Sequence, residues 1–487
     1  MIVRRLPITG VVVAGIAALV AGTAGDAGVV DSVFSRAAVP WMPAAPPPGG
    51  LTSTWYCPGV PAAPDGDDER PGGLVAVFNP EDEAMTGTIT LLTEADGDPT
   101  VQSFNIPAFS SHSVDVDELV DSPYAAAVVE IEGGGGLVEQ QATWPVGTNS
   151  VGDSVSPCAN TPSAQWYFAT GDTSEGSRDL LVLSNPHDYS AVIDITLSTS
   201  RGPRQIERFA VPAKSVRTID LRDHTVNDEV DVGVTITASR GALVAARAQT
   251  YETDTRGGYS MVLGATAARD QWWFAAGERA EDIEVEYSIY NPGPDEVTVN
   301  AVMLGFLPAR DVAVIQPEPV VVPPGRVEVV TLEDAEGIPD GPVSAVFATD
   351  GALVVVERTL TRTISGIRTT SVTPGATSRS DDFYLANTWY LGLGPEVATE
   401  DGLQLYNIDR TDGVITIQAV TGDGIVTLDG LDAIDIGPNE TLRLDITEEM
   451  LGRQLIIRST TRLLAERVLP RETGAQGRVA SWLLPAM

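Results

Sequence analysis

Lysine is all but missing from this chain. Lys214 is the only one in 487 residues, and the 30 basic residues are otherwise arginine, set against 67 acidic ones. The net charge of −37 argues against a nucleic-acid partner, because a phosphate polymer would be repelled. It suits a solvated surface that resists self-association. Histidine is scarce too: only His112, His187 and His224. His112 stands in Ser110-Ser111-His112-Ser113 with Asp115 nearby, but a Ser-His-Asp triad needs convergence in space that adjacency does not supply. All three fall in expected turns or strand ends and read as solvated loop histidines. Gly-x-Ser-x-Gly, His-Glu-x-x-His and phosphate-loop patterns are absent. Acid pairs are plentiful, and nothing marks one pair as the carboxylates of a glycosidase. With no catalytic residue and no cofactor site indicated, the chain is expected not to be an enzyme.

Cysteine is limited to Cys57 and Cys158. No Cys-His cluster has zinc spacing. The run Asp65, Asp67, Asp68 and Glu69 lacks EF-hand spacing and reads as a charged loop, so no metal site is expected. Long apolar runs are missing with one exception. Arg4 and Arg5 precede 20 uncharged residues, Leu6 to Gly25. This segment, 1–25, is either a signal peptide cleaved near Ala21-Gly22-Thr23-Ala24 or a retained membrane anchor. Both place everything after Gly25 outside the cytoplasm. Residues 26–50, with Pro46-Pro47-Pro48-Gly49-Gly50, read as an extended tether. Helical periodicity is also weak. Only Asp117–Val120 and Thr447–Leu451 suggest about one turn each.

What is present is a repeat. Turn formers abound, with 47 Gly and 34 Pro. Aromatic strands start at Trp55, Trp166, Trp272 and Phe383, in steps of 111, 106 and 111 residues. Asn79, Asn185, Asn291 and Asn407 each close a second strand, and Pro107, Pro212, Pro323 and Pro438 mark a mid-repeat turn. A strand carrying an acid follows each turn, at Asp115, Asp220, Glu333 and Asp445. Late in each copy two apolar strands, such as Val128–Ile131 and Leu137-Val138, flank a short turn and read as a hairpin. Alternation in Ile193, Ile195 and Leu197 against Asp194 and Thr196 is the period of a half-buried strand.

A period of about 110 residues exceeds that of solenoids and propellers and matches an Ig-like β-sandwich. The expected fold is all-β: tandem Ig-like sandwiches at 51–160, 161–266, 267–377 and 378–487. Short linkers between them should give a rod or a compact array. Cys57 replaces Phe168, Phe274 and Leu385 on the first strand, and Cys158 replaces Gly264, Gly375 and Pro485 beside the last. A Cys57–Cys158 disulfide is therefore expected to close the first copy. Its loop of about 100 residues implies about 4.7 kcal/mol in the chain-entropy model.

Cys57-Pro58, Pro157-Cys158, Trp166-Tyr167-Phe168, Leu183-Ser184-Asn185-Pro186 and Val211-Pro212-Ala213-Lys214-Ser215 resemble a family of uncharacterised exported actinobacterial proteins, a domain of unknown function. The resemblance covers nearly all the chain after the tether. The fourth copy departs from it, with Asn407-Ile408 in place of Asn-Pro. It implies an envelope location and carries over no active residues. The function expected is a non-enzymatic extracytoplasmic scaffold, membrane-anchored or secreted, with an envelope protein or glycan as partner. The alternative is a carbohydrate-binding or glycan-assembly accessory protein, which needs an exposed aromatic such as Trp144, Trp389 or Trp482.

Overall fold

The computed structural model describes residues 42–62, 72–94, 97–143, 154–306, 312–333, 335–377, 387–468 and 481–486. The acidic run at 65–69, Trp144 and the segment 1–25 lie outside them. Among the described residues no helix is long and apolar enough to cross a membrane.

The described residues are all-β, built of small antiparallel sheets. In the first repeat, β1 (Pro48–Ala62), β6 (Ser122–Gly134), β3 (Met85–Leu92) and β4 (Thr100–Ile106) form one sheet, in that order. The other is β5 (Ser110–Asp115), β2 (Gly72–Asn79), β7 (Leu137–Thr143) and β8 (Ser154–Pro157). The second repeat copies this strand for strand. Its strands are β9 (Gln165–Phe168), β10 (Ser177–Asn185), β11 (Ala191–Thr199), β12 (Gly202–Val211), β13 (Ser215–Asp220), β14 (Gly233–Arg240), β15 (Val244–Glu252) and β16 (Gly257–Leu263). The orders are β12-β11-β14-β9 and β13-β10-β15-β16.

The third repeat has β17 (Gln271–Phe274), β18 (Glu278–Arg279), β19 (Ile283–Tyr290), β20 (Val297–Phe306), β21 (Val312–Ile315), β22 (Val320–Val322), β23 (Val327–Thr331), β24 (Gly341–Thr349), β25 (Val355–Ile364) and β26 (Ile367–Pro374). The fourth has β27 (Thr388–Leu391), β28 (Thr399–Asn407), β29 (Gly413–Thr421), β30 (Gly424–Thr427), β31 (Ile434–Ile436), β32 (Thr441–Ile446), β33 (Leu455–Ser459), β34 (Leu463–Arg467), β35 (Ser481–Trp482) and β36 (Leu484–Pro485). In both, the fourth strand of the pattern is split in two. The short turns expected near 117–120 and 447–451 are present, the latter as a 3-10 turn at Glu448–Met450.

Each repeat is a two-layer sandwich, because side chains from both sheets share one apolar interior. In the second, Trp166, Phe168, Ile193, Ile195 and Leu197 of one sheet meet Leu181 and Leu183 of the other. The alternation expected in β11 is observed, with Asp194 and Thr196 on its wetter face. A pin holds the sheets together. The side-chain amide of Asn79 donates to the carbonyls of Glu83, Ile106 and Pro107, and its oxygen accepts from the Glu81 N–H. Asn185 and Asn291 repeat all four bonds, and Asn407 repeats three of them. One buried side chain thus fixes two of the crossings between the layers, β2 to β3 and β4 to β5, which is why Asn closes this strand every time.

Three expectations are corrected. The fourth repeat starts at Trp389, not Phe383, which lies outside the described residues. Trp389 repeats the indole bond of Trp166 and Trp272, donating to the Leu463 carbonyl as they donate to Leu243 and Val354. The late pair of apolar strands is not a hairpin. β6 and β7 belong to different sheets, and Gly133 to Gly136, all at φ between 71° and 83°, step the chain from one layer to the other. The tether expected over 26–50 does not extend to Gly50. Met42 to Ala45 are buried and β1 begins at Pro48. Short apolar residues flanked by proline can dock as well as extend, and here the rest of the molecule supplies the groove.

Residues 40–487 form one compact body, and the four sandwiches in it touch in a cycle. The β3–β4 connection of the first meets β13 of the second, with the Val216 N–H on the Thr93 carbonyl at 3.1 Å. In the second, the β11–β12 tip meets the turn before β23 of the third, where Ser198 donates to the Gly325 carbonyl at 2.6 Å. Ser344 of the third hydrogen-bonds Thr441 of the fourth at 2.7 Å. Gln454 of the fourth donates to the Ser110 carbonyl of the first at 3.3 Å. Head-to-tail contacts of this kind form a ring when the rotation closes, and here it closes after four.

Candidate functional site

A second set of buried side chains, mostly polar, lies where one sandwich meets the next. They come from the strand after the interlayer step: Glu139-Gln140 on β7, Ala246-Arg247 on β15, Glu357-Arg358 on β25 and Glu466-Arg467 on β34. Neighbours on a strand point to opposite faces. In each pair the leading residue faces the preceding sandwich, and the residue after it points into its own.

The carboxylate of Glu357 accepts from the N–H groups of Ala169 and Thr170 at 2.8 and 2.7 Å. That of Glu466 accepts from Ala275 and Ala276 at 2.9 and 3.1 Å. Glu139 accepts from Leu393 at 2.6 Å and so joins the fourth sandwich to the first. The arginines hold the carbonyls of the same three connections. Arg247 donates to Thr170, Arg358 to Ala276, and Arg467 to Leu393. Each of these aromatic strands therefore ends in a connection gripped by its own arginine and by the next sandwich's glutamate. Arg358 and Glu466 also pair directly at 2.8 Å, both fully buried. Arg247 makes a two-pronged pair with Asp179 at 2.5 and 2.8 Å and lies 5.9 Å from the Phe168 ring centre.

The first seam departs from this pattern. Gln140 and Ala246 stand where the others have Arg and Glu. The matching connection is Cys57-Pro58-Gly59, and proline has no N–H to satisfy. Gln140 takes the remaining one, from Gly59, at 3.2 Å. Both charges are absent together, as expected where an unpaired buried charge would be costly. Tyr124 and Tyr259 instead meet hydroxyl to hydroxyl at 3.2 Å across this seam.

Burial pushes the Glu357 carboxyl up to about 7, against the pull of Arg247 and of the Thr170 and Ala169 amides. A further group of charges spans the same boundary. Arg256 bridges Asp172 of its own sandwich at 3.3 Å and Glu286 of the third at 2.5 Å. Beside it, burial raises Asp231 to about 6, with Arg256 opposing and Glu286 and Asp172 adding to the rise. At the third boundary Glu278 receives Arg362 at 3.0 Å and Arg443 of the fourth sandwich at 3.2 Å.

The edge strands β8, β16, β26 and β35 gather at the centre of the cycle. Met42 and Pro43 pack among them and leave a cavity of about 30 Å³, room for about one water molecule. The Trp482 indole donates to the Pro374 carbonyl at 2.6 Å and stacks on Trp389.

Cys57 and Cys158 form the expected disulfide, with an S–S length of 1.99 Å and Cα atoms 4.3 Å apart. The three histidines do not meet. His112 is on β5, His187 stacks on Tyr189 at 5.0 Å, and His224 ends a 3-10 turn at Leu221–His224. Trp389 and Trp482 are core residues, 0% and 6% exposed, and offer no platform. Among the described residues no group of three or more His, Cys, Asp or Glu is placed to hold a metal.

A family model described as a family of unknown function, DUF5719, matches residues 139–383. This chain belongs to the DUF5719 family. The match begins at Glu139, the residue that links the first sandwich to the fourth, and covers the second and third sandwiches. A comparison with curated proteins returned no match.

Proposed function

We propose that this DUF5719 member is a non-enzymatic scaffold of the cell envelope, four Ig-like sandwiches exported behind the N-terminal segment. The observation that carries this reading is the use made of the buried charges. The Glu side chains on β7, β25 and β34, with the Arg side chains on β15, β25 and β34, grip backbone at three of the four seams and tie the sandwiches into one compact body. Loops on such a body keep a set spacing, as a scaffold that orients partners requires. The disulfide supports export, since such bonds persist in oxidising compartments, and the arginine-flanked apolar segment 1–25 supports it from the sequence.

The test is made in the native host. Protease added to intact cells should digest this protein while a cytosolic marker survives. Photo-crosslinkers at the exposed positions Leu51 and Tyr189 should capture an envelope component in fixed ratio. Full protection from protease, or turnover of a wall glycan by the purified protein, defeats the proposal. Glycan binding without turnover favours the carbohydrate accessory reading instead.

A further inference from the structure

Three seams of the cycle are crossed by a continuous chain. The seam between the fourth and first sandwiches is not, so it must be held by contacts alone. Glu139 supplies a bond there, to the Leu393 N–H. Next to it both ends of the described chain come together. The Ala45 N–H donates to the Pro485 carbonyl at 2.7 Å, and Ala45 pairs in parallel with Ala486. Ala486 in turn donates to the Thr388 carbonyl on β27 at 2.9 Å. One residue earlier, the Ala44 N–H donates to the side-chain oxygen of Asn160 at 2.8 Å.

The apolar contacts agree. Met42 belongs to the interior shared by the third and fourth sandwiches. Ala45, three residues on, belongs to the interior of the first, together with Leu393 and Leu484 of the fourth. A four-residue strap thus bridges two interiors at the one open seam.

The disulfide bears on the same point. All four sandwiches pair the first strand with the last segment, as in Tyr56 with Ala159, Tyr167 with Ala265 and Trp273 with Ala376. In the second and third sandwiches a Phe ring over a Gly fills the space that Cys57 and Cys158 bridge in the first. The sandwich itself therefore does not need the bond. Cys158 leads through Ala159 straight to Asn160, the residue that pins the strap.

We propose that Met42–Ala45 is a clasp that keeps the ring closed, anchored on Asn160 and on the chain end at Pro485-Ala486, and that loosening it opens the fourth–first seam selectively. The backbone amides held by glutamate make this measurable, since the same bond occurs at Leu393, Thr170 and Ala276. Amide hydrogen exchange is followed on the intact chain and on two variants, Met42→Asp and Asn160→Ala. The clasp requires exchange at Leu393 to rise at least tenfold in each variant that folds. Thr170 and Ala276 should stay within about twofold of the unmodified protein. Equal acceleration at all three amides, or no change at Leu393, overturns the proposal. Asn160→Ala removes one partly exposed side chain, so it decides the matter even where Met42→Asp fails to fold.

Discussion

Asn291 shows how much one side chain can hold. It is fully buried and spans two of the layer crossings with four bonds. Removing it leaves several backbone groups without partners, at about 1–3 kcal/mol for each that stays dry. Asn291→Ala is expected to lower unfolding free energy by about 3 kcal/mol in urea titration, well beyond an exposed Asn→Ala change. Glu357 makes a prediction about pH. Its folded pKa of about 7 lies above the usual unfolded value near 4.3. Between those values the folded state holds a proton that the unfolded state has lost. Stability from this group is therefore greatest below about pH 4 and declines as pH rises to about 7, by about 3–4 kcal/mol in total. Asp231, raised to about 6, acts in the same direction. Glu357→Gln keeps an acceptor for Ala169 and Thr170 while removing the titration. The difference in stability between variant and parent should shift in the variant's favour from pH 4 to pH 8, and a constant difference would contradict the assignment.

At the scale of the strand pair, the cysteine positions show one gap filled three ways. The first sandwich bridges it by a disulfide, the second and third by Phe over Gly, and the fourth by Leu391 and Leu483. The last assignment follows from the bond that Leu483 shares with Cys158, Gly264 and Gly375, to Ala465, Val138, Ala245 and Val356 respectively. A Cβ on Gly264 would sit 2.6 Å from the Phe168 ring. Gly264→Ala should therefore destabilise by about 1–3 kcal/mol through overpacking. The double variant Phe168→Cys with Gly264→Cys should instead form a new disulfide, read as loss of free thiol under denaturing conditions. Two titratable thiols in that variant would show that the two strand pairings are not equivalent.

Over the whole molecule, the seams use charged and neutral solutions to one packing problem. Glu466→Ala leaves Arg358 buried without its carboxylate and should cost about 3–5 kcal/mol. Changing Arg358→Gln along with it copies the residue pair of the first seam. The double variant should be more stable than Glu466→Ala alone, a coupling of the kind that residues in one network show. Calorimetry of the two variants checks this, and strictly additive losses would mean that the charges act separately.

Much of this was legible before any coordinates. Landmarks that keep step along a chain require a repeated unit, and the period of two within them requires strands, because both follow from local backbone geometry. Cys57 and Cys158 could be paired because they occupy matching places in one copy. The Glu-Arg pairs at 357–358 and 466–467 stand at a constant offset from Val354 and Leu463, the residues whose carbonyls take the indole bonds, yet an acidic chain makes two more charges inconspicuous. The same chemistry in a solvated loop and in a dry seam is spelled identically. The offset of the fourth repeat escaped because Phe383-Tyr384 imitates an aromatic strand, and only the indole bond to Leu463 identifies Trp389. Above all, short linkers suit a rod as well as a ring. Whether head-to-tail contacts close depends on the angle each sandwich makes with the next, and that angle is set by side chains buried between copies, far apart in sequence.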